Sequence, residues 1–193
     1  MLNRLIANWV YGGFLAGILL LLLTPILTHS WPVALTATFL CLPVYMLHQY
    51  EEHDNDRFRQ FVNRKIGKDK EALSTWDVFL INVPGVWGIT GISLTLAATL
   101  NIGFGLIAVD LVLLNAIIHI VYAIASREYN PGLGTAIALF LPFGGFGMYE
   151  IQRNGGGTLP MHMIGLATAG GIHVAIVVHA LSGAKESTRR EER

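Results

Sequence analysis

Apolar residues gather into six long stretches, approximately 7–28, 33–53, 77–100, 104–126, 132–151 and 160–182. Each is long enough for a hydrocarbon core, which takes roughly 20 residues in a helix. The expected fold is therefore all-α, a polytopic membrane helix bundle of about six transmembrane helices. The first stretch follows Met1-Leu2-Asn3-Arg4, a start like that of a signal peptide. Its apolar run is long and "THSWP" is a poor cleavage site, so a retained helix is expected. At the third stretch Ser74 suits an N-cap, with Asp77 completing a short capping box. Pro84, farther in, lacks a backbone donor and should kink that helix.

The polar intervals set the orientation. Arg57, Arg59, Arg64, Lys65, Lys68 and Lys70 follow the second stretch, and Arg127 follows the fourth. Lys185, Arg189, Arg190 and Arg193 end the chain. "HSWP" and "NIGFG" on the other side have no lysine or arginine, and the interval after the fifth stretch has only Arg153. The positive-inside rule then puts both termini and both basic connections in the cytoplasm, in a multi-pass cell-membrane protein. Trp9, Trp31 and Trp76 lie near span ends, as interfacial anchors do. Phe58, Phe61, Val62 and Ile66 recur at helical spacing with the basic residues largely off that stripe, which predicts a short helix on the inner leaflet. Residues 1–183 read as one membrane domain, 54–75 as its cytoplasmic amphipathic connection, and 184–193 as a charged cytoplasmic tail.

Composition agrees: 13% of residues are charged, against about 25% in soluble domains. Cys41 is the sole cysteine, which excludes an intramolecular disulfide and a cysteine zinc cage. The expected partners are the lipid bilayer and a hydrophobic or lipid-like small-molecule substrate. Nucleic acid is not expected, and homo-oligomerisation is left open.

Ionisable groups inside spans are costly and default to functional hypotheses. His48, Glu51 and Glu52 stand at i, i+3 and i+4, on one helical face. His53 is about 140° round the helix from His48 and faces elsewhere. Asn115 and His119 share a face of the fourth stretch, Asn82 lies just over one turn into the third, and His173 is in the sixth. By depth, all belong to the cytoplasmic half of the bundle. Asp110 sits nearer mid-span, Glu150 and His162 near the opposite surface, and His179 close to the inner surface, so these four stay outside the candidate site.

Imidazole and carboxylate at this spacing suit zinc or non-haem iron. The candidate ligands are His48, Glu51, Glu52, His119 and His173, for a divalent metal, zinc before iron. A glutamate left free (Glu51 or Glu52) would act as general base, and Asn82 or Asn115 would orient a ligand or polarise a carbonyl. The spacing does not match the inverted zincin motif H-x-x-E-H, nor the paired E-x-x-H elements of di-iron bundles. "NGGGT" at 154–158 lacks the lysine of a phosphate loop and reads as a turn. "REYNPGLGT" at 127–135 reads first as a helix break and restart, second as an anion clamp through Arg127.

His48-x-x-Glu51-Glu52, the later Asn115…His119 pair and "REYNPG" together resemble the HXXEE domain family of small multi-pass membrane proteins. The resemblance extends over roughly residues 7 to 180. It implies a membrane enzyme that uses a metal held by histidine and glutamate, without naming a reaction. Hydrolysis by metal-activated water is the first reading. Redox chemistry at non-haem iron, metal-free double-bond isomerisation by a Glu/His pair, and a proton- or cation-coupled transporter stand as alternatives.

Overall fold

The computed structural model of the chain describes residues 1–191; Glu192 and Arg193, the end of the charged tail, lie outside the described residues. Seven helices organise it: α1 (Leu2–Leu27), α2 (Val33–His53), α3 (Arg57–Lys65), α4 (Thr75–Thr99), α5 (Leu106–Ser126), α6 (Leu133–Arg153) and α7 (Leu159–Glu191). Six segments are long and apolar enough to cross a membrane, and the second of them, Val33–Lys65, contains both α2 and α3. A 3-10 turn, Ile102–Gly105, leads into α5, and another, Asp54–Asp56, joins α2 to α3. The last helix runs on beyond residue 183, so the charged tail continues α7 as far as it is described.

Burial separates inner from outer helices. In the most apolar windows of the segments containing α2 and α5, 61% and 56% of residues are buried, against 17–33% for the other four. Helix α2 packs against α1, α4, α5 and α6, and α5 packs against α4, α6 and α7. Their shared core holds Val44, Val109, Leu111 and Val112, joined by Phe140 from α6. Helix α1 lies close along α2: a Cβ at Gly17 would fall 3.0 Å from the Met46 Cβ and 3.1 Å from the Pro43 carbonyl oxygen. The outward faces of the remaining spans are rich in exposed leucine, isoleucine and valine, as a lipid-facing surface is.

The start of α4 forms as its sequence predicts. The Ser74 hydroxyl accepts from the Asp77 backbone N–H, and the Asp77 carboxylate accepts from the Ser74 N–H at 2.8 Å. The second Asp77 oxygen pairs with His179 at 3.0 Å, which ties α4 to α7. Pro84 acts by widening the helix: the backbone runs as π-helix from Ile81 to Trp87. Wide turns of this kind reroute carbonyls around a missing donor. They bring Asn82 to the interior and direct the Trp87 indole N–H to Gln49 Oε1 at 2.7 Å.

Two expectations are corrected here. Helix α3 does not turn its apolar stripe to the inner leaflet. Val62 is buried, and Phe58, Phe61 and Ile66 pack with it against Leu73, Val78 and Ala180. Left-handed Asn55 and Asp56 break the helix directly after α2, a conformation that Asn and Asp tolerate better than most residues. Asn63 then folds the following loop over α3, accepting from the Ala72 and Leu73 N–H groups at 2.9 Å each. Trp9 is not only an interfacial anchor either, because its ring packs edgewise on His53 and Trp87.

Removing the α4 cap should be measurable. Ser74→Ala is expected to cost about 1 kcal/mol, seen as a lower Tm in detergent-solubilised protein, while Ser74→Thr, which keeps the hydroxyl that meets Asp77, stays close to wild type.

Candidate metal centre

The last two turns of α2 present His48 and Glu52, and α5 brings His119 opposite them. The Glu52 carboxylate lies between the two rings: its Oε2 is 3.6 Å from His48 Nε2 and its Oε1 is 3.5 Å from His119 Nε2. All three residues are buried, with exposures of 0% for His48, 5% for Glu52 and 7% for His119. Their ligand atoms lie within 4.8 Å of one another. Two ligands at ~2.0–2.1 Å from a tetrahedral ion would stand about 3.4 Å apart, close to the observed spacings.

Hydrogen bonds on the far side of each ring decide what the Nε2 atoms carry. Asn130 donates its amide to the His119 backbone carbonyl at 2.9 Å, which turns Oδ1 toward the same residue's ring. Oδ1 can only accept, so His119 Nδ1 holds the proton of the neutral imidazole. His48 Nδ1 is 2.8 Å from the Thr135 hydroxyl. That hydroxyl has one proton and stands 2.5 Å from Glu51 Oε2. An acceptor-only carboxylate at that distance takes the proton. Thr135 must then accept from His48, and His48 Nδ1 is protonated too.

Both Nε2 atoms therefore offer lone pairs toward a carboxylate. Three acceptors converge, at distances too long for hydrogen bonds, and His48 Nε2 is buried without a partner. A proton on one Nε2 would satisfy one ring. A single divalent cation would satisfy all three groups. Two imidazole nitrogens and a carboxylate form the donor set of His2Glu zinc sites and of the facial triad of non-haem iron, and the outer partners on each Nδ1 are the kind that orient metal-binding histidines. The residues fit a metal.

The two motif glutamates part company. Glu51 accepts from the backbone N–H groups of Gly134 and Thr135 at 3.0 and 2.6 Å, and from the Tyr129 hydroxyl. It thus occupies the donor-rich first turn of α6 and does not join the ligand group. The Tyr129 phenol is pushed up to about 12 by burial and by the Glu51 carboxylate, so it remains a donor at neutral pH. The turn has little room. Gly132 has φ +96°, and a Cβ there would lie 2.8 Å from Cε1 of both His48 and His119.

The other expected residues surround the group without entering it. Asn82 donates to the Val78 carbonyl and accepts from Gln49 Nε2 at 2.9 Å. Asn115 donates to the Tyr45 hydroxyl at 3.0 Å, and its Oδ1 is buried without a partner. His173 donates from Nδ1 to the Ala169 carbonyl at 2.8 Å, which leaves a lone pair on Nε2. His53, placed off the site face by helical geometry, reaches back so that its Nε2 is 3.1 Å from Glu52 Oε2. At the far end, His162 meets Gln152 and Glu150 meets Arg153, while Asp110 Oδ2 is buried unpartnered. Sequence reasoning missed Gln49, Tyr129, Asn130 and Thr135. Three of these lie in the "REYNPGLGT" break, whose polar residues beside an intramembrane histidine were the available signal. Arg127 itself forms the left-handed end of α5.

A cavity of about 290 Å³ opens beside the group. Glu52, His119, Asn115 and His173 line one side, and Phe58, Phe61, Ile176 and Val177 line another. His48 is not among its lining residues.

Residues 39–146 match the family described as "Protein of unknown function with HXXEE motif". The chain belongs to this family. The matched span includes His48, Glu51, Glu52, His119, Asn130 and Thr135, so the donors and their outer partners are all within it, while His173 lies beyond it. No curated protein matches the chain, and no solved structure does.

The proton assignment is directly testable by ¹⁵N NMR of labelled histidines. Wild-type His48 should show the Nδ1–H tautomer. Thr135→Val should shift it toward Nε2–H, while Thr135→Ser should keep the wild-type pattern.

Proposed function

We propose that this protein is an integral-membrane metal-dependent enzyme, a hydrolase of a hydrophobic or amphipathic substrate. The observation that carries this reading is the convergence of two imidazole lone pairs and a buried carboxylate, with both Nδ1 atoms held as donors. His48, Glu52 and His119 hold the ion, zinc before iron. The ion would supply a Lewis acid and a bound water acidic near neutral pH. Asn115 lines the cavity, and its Oδ1 is buried without a partner; His173 offers a basic Nε2 from the cavity wall. Glu51 and Asn82 act as positioning residues: Glu51 through Thr135 on His48, Asn82 through Gln49 on the α2–α4 contact.

A transport reading draws less support. Asp110 stands about 13.5 Å from His119 along α5 at 1.5 Å per residue, among the fully buried Leu106, Val109, Leu111 and Val112. Along α5 between them only Asn115, bonded to its partner Tyr45, is polar, and Asp110 Oδ2 itself is buried without a partner.

Metal analysis tests the reading. Protein purified without chelators should carry about one equivalent of zinc or iron. His48→Ala, Glu52→Ala and His119→Ala should each lose most of it while keeping the helical content of wild type. A folded wild type that neither retains nor rebinds either metal would sink the proposal. In this reading the site and both termini face the cytoplasm, from the distribution of lysine and arginine. In a Cys41→Ser background, an impermeant maleimide applied to intact cells should label Asn154→Cys and spare Lys185→Cys.

A further inference from the structure

We propose that the cavity seats a single-chain amphiphile whose polar head carries an O–H or N–H donor, and that it enters sideways between α5 and α7. This deepens the proposed function and uses the same site. Size is the first argument. At about 290 Å³, the space lies at the lower bound of the roughly 300–1,000 Å³ typical of small-molecule pockets. One short hydrocarbon chain fits there, and a two-chain lipid does not.

The lining has two ends of different chemistry. Phe58 and Phe61 of α3, with Ile118, Ile176 and Val177, make an apolar sleeve. Glu52, His119 and Asn115 make a polar end. The Asn115 amide is oriented by its donation to Tyr45, which leaves Oδ1 buried with no partner. A buried acceptor without a donor is costly, and a ligand that supplies the donor relieves that cost. A head group lacking O–H or N–H leaves it unpaired and is rejected.

The route in follows from exposure. Ile118 and Val177 line the cavity and are also 42% and 48% exposed on the outer face of the bundle. They stand on the packed helices α5 and α7, and a parting of these two side chains is the entry that the proposal requires. On the α3 side Lys65, which lines the cavity, pairs with Glu128 at 2.5 Å. The same α3 stripe that sequence reasoning assigned to the leaflet thus becomes the sleeve around the chain.

The test uses the full chain in nanodiscs with a ten-carbon alcohol bearing an alkyl diazirine. Photolabelling should map to peptides of α3, α5 and α7. 1-Decanol and decanamide should compete at concentrations about tenfold lower than methyl decanoate, which lacks a donor. Ile176→Trp should reduce labelling, and Asn115→Leu should bring the three competitors within about twofold of one another. The order of competitors in wild-type protein decides the matter without any variant: equal competition by methyl decanoate overturns the proposal. Labelling confined to α1, or a preference that survives Asn115→Leu in folded protein, overturns it as well. Repeating the competition after chelator treatment separates this proposal from the metal reading. The same order without metal supports the amphiphile site whatever the metal analysis finds, and loss of the order on chelation overturns the assignment to Asn115.

Discussion

A threonine hydroxyl has one proton to give, and the destination of the Thr135 proton organises this protein. Glu51 takes it, so Thr135 can only accept from His48. The His48 ring is thereby held with Nε2 turned inward as a lone pair. Asn130 imposes the same state on His119 by a separate route, its amide fixed by the His119 backbone. Neither ring would converge usefully on Glu52 if its outer nitrogen were free to exchange roles. The two motif glutamates thus have unlike tasks one residue apart: one sets a tautomer from outside the group, and the other joins the group.

The bundle around this point buries the three donor residues. Helices α2 and α5 are the most buried, and they carry the three donor residues. Phe140 from the first turns of α6 packs on the His48 ring, and Gly132 lets the backbone pass over both imidazoles where a Cβ would collide. In a low-dielectric interior an unpaired polar group is costly. Two of the open valences, at His48 Nε2 and Asn115 Oδ1, are therefore informative: the first belongs to the donor group and the second to a residue that lines the cavity.

Much of this was legible in the chain. Six apolar runs gave six apolar helices because a span needs only length and hydropathy. Ser74 and Asp77 formed their capping box because that interaction is local. His48, Glu52 and His119 could be nominated because intramembrane ionisable residues are expensive and these fall at one depth. The separation of Glu51 from Glu52 was not legible, since i+3 and i+4 share a face and only the neighbour on each side distinguishes them. His53 was set aside on helical geometry alone, which ignores how far a flexible ring at a helix end can reach.

What the sequence determined by itself was periodicity and cost: which segments are helical and apolar, where they are capped or widened, and which polar residues require an explanation inside them. What the tertiary structure alone decided was pairing. Asn130 and Thr135 meet His119 and His48 across the 127–132 turn, and α3 lines a cavity after the left-handed break at Asn55 and Asp56. Hydrogen-bond direction depends on which donor meets which acceptor. That is a property of contacts between distant residues, which hydropathy and spacing do not encode.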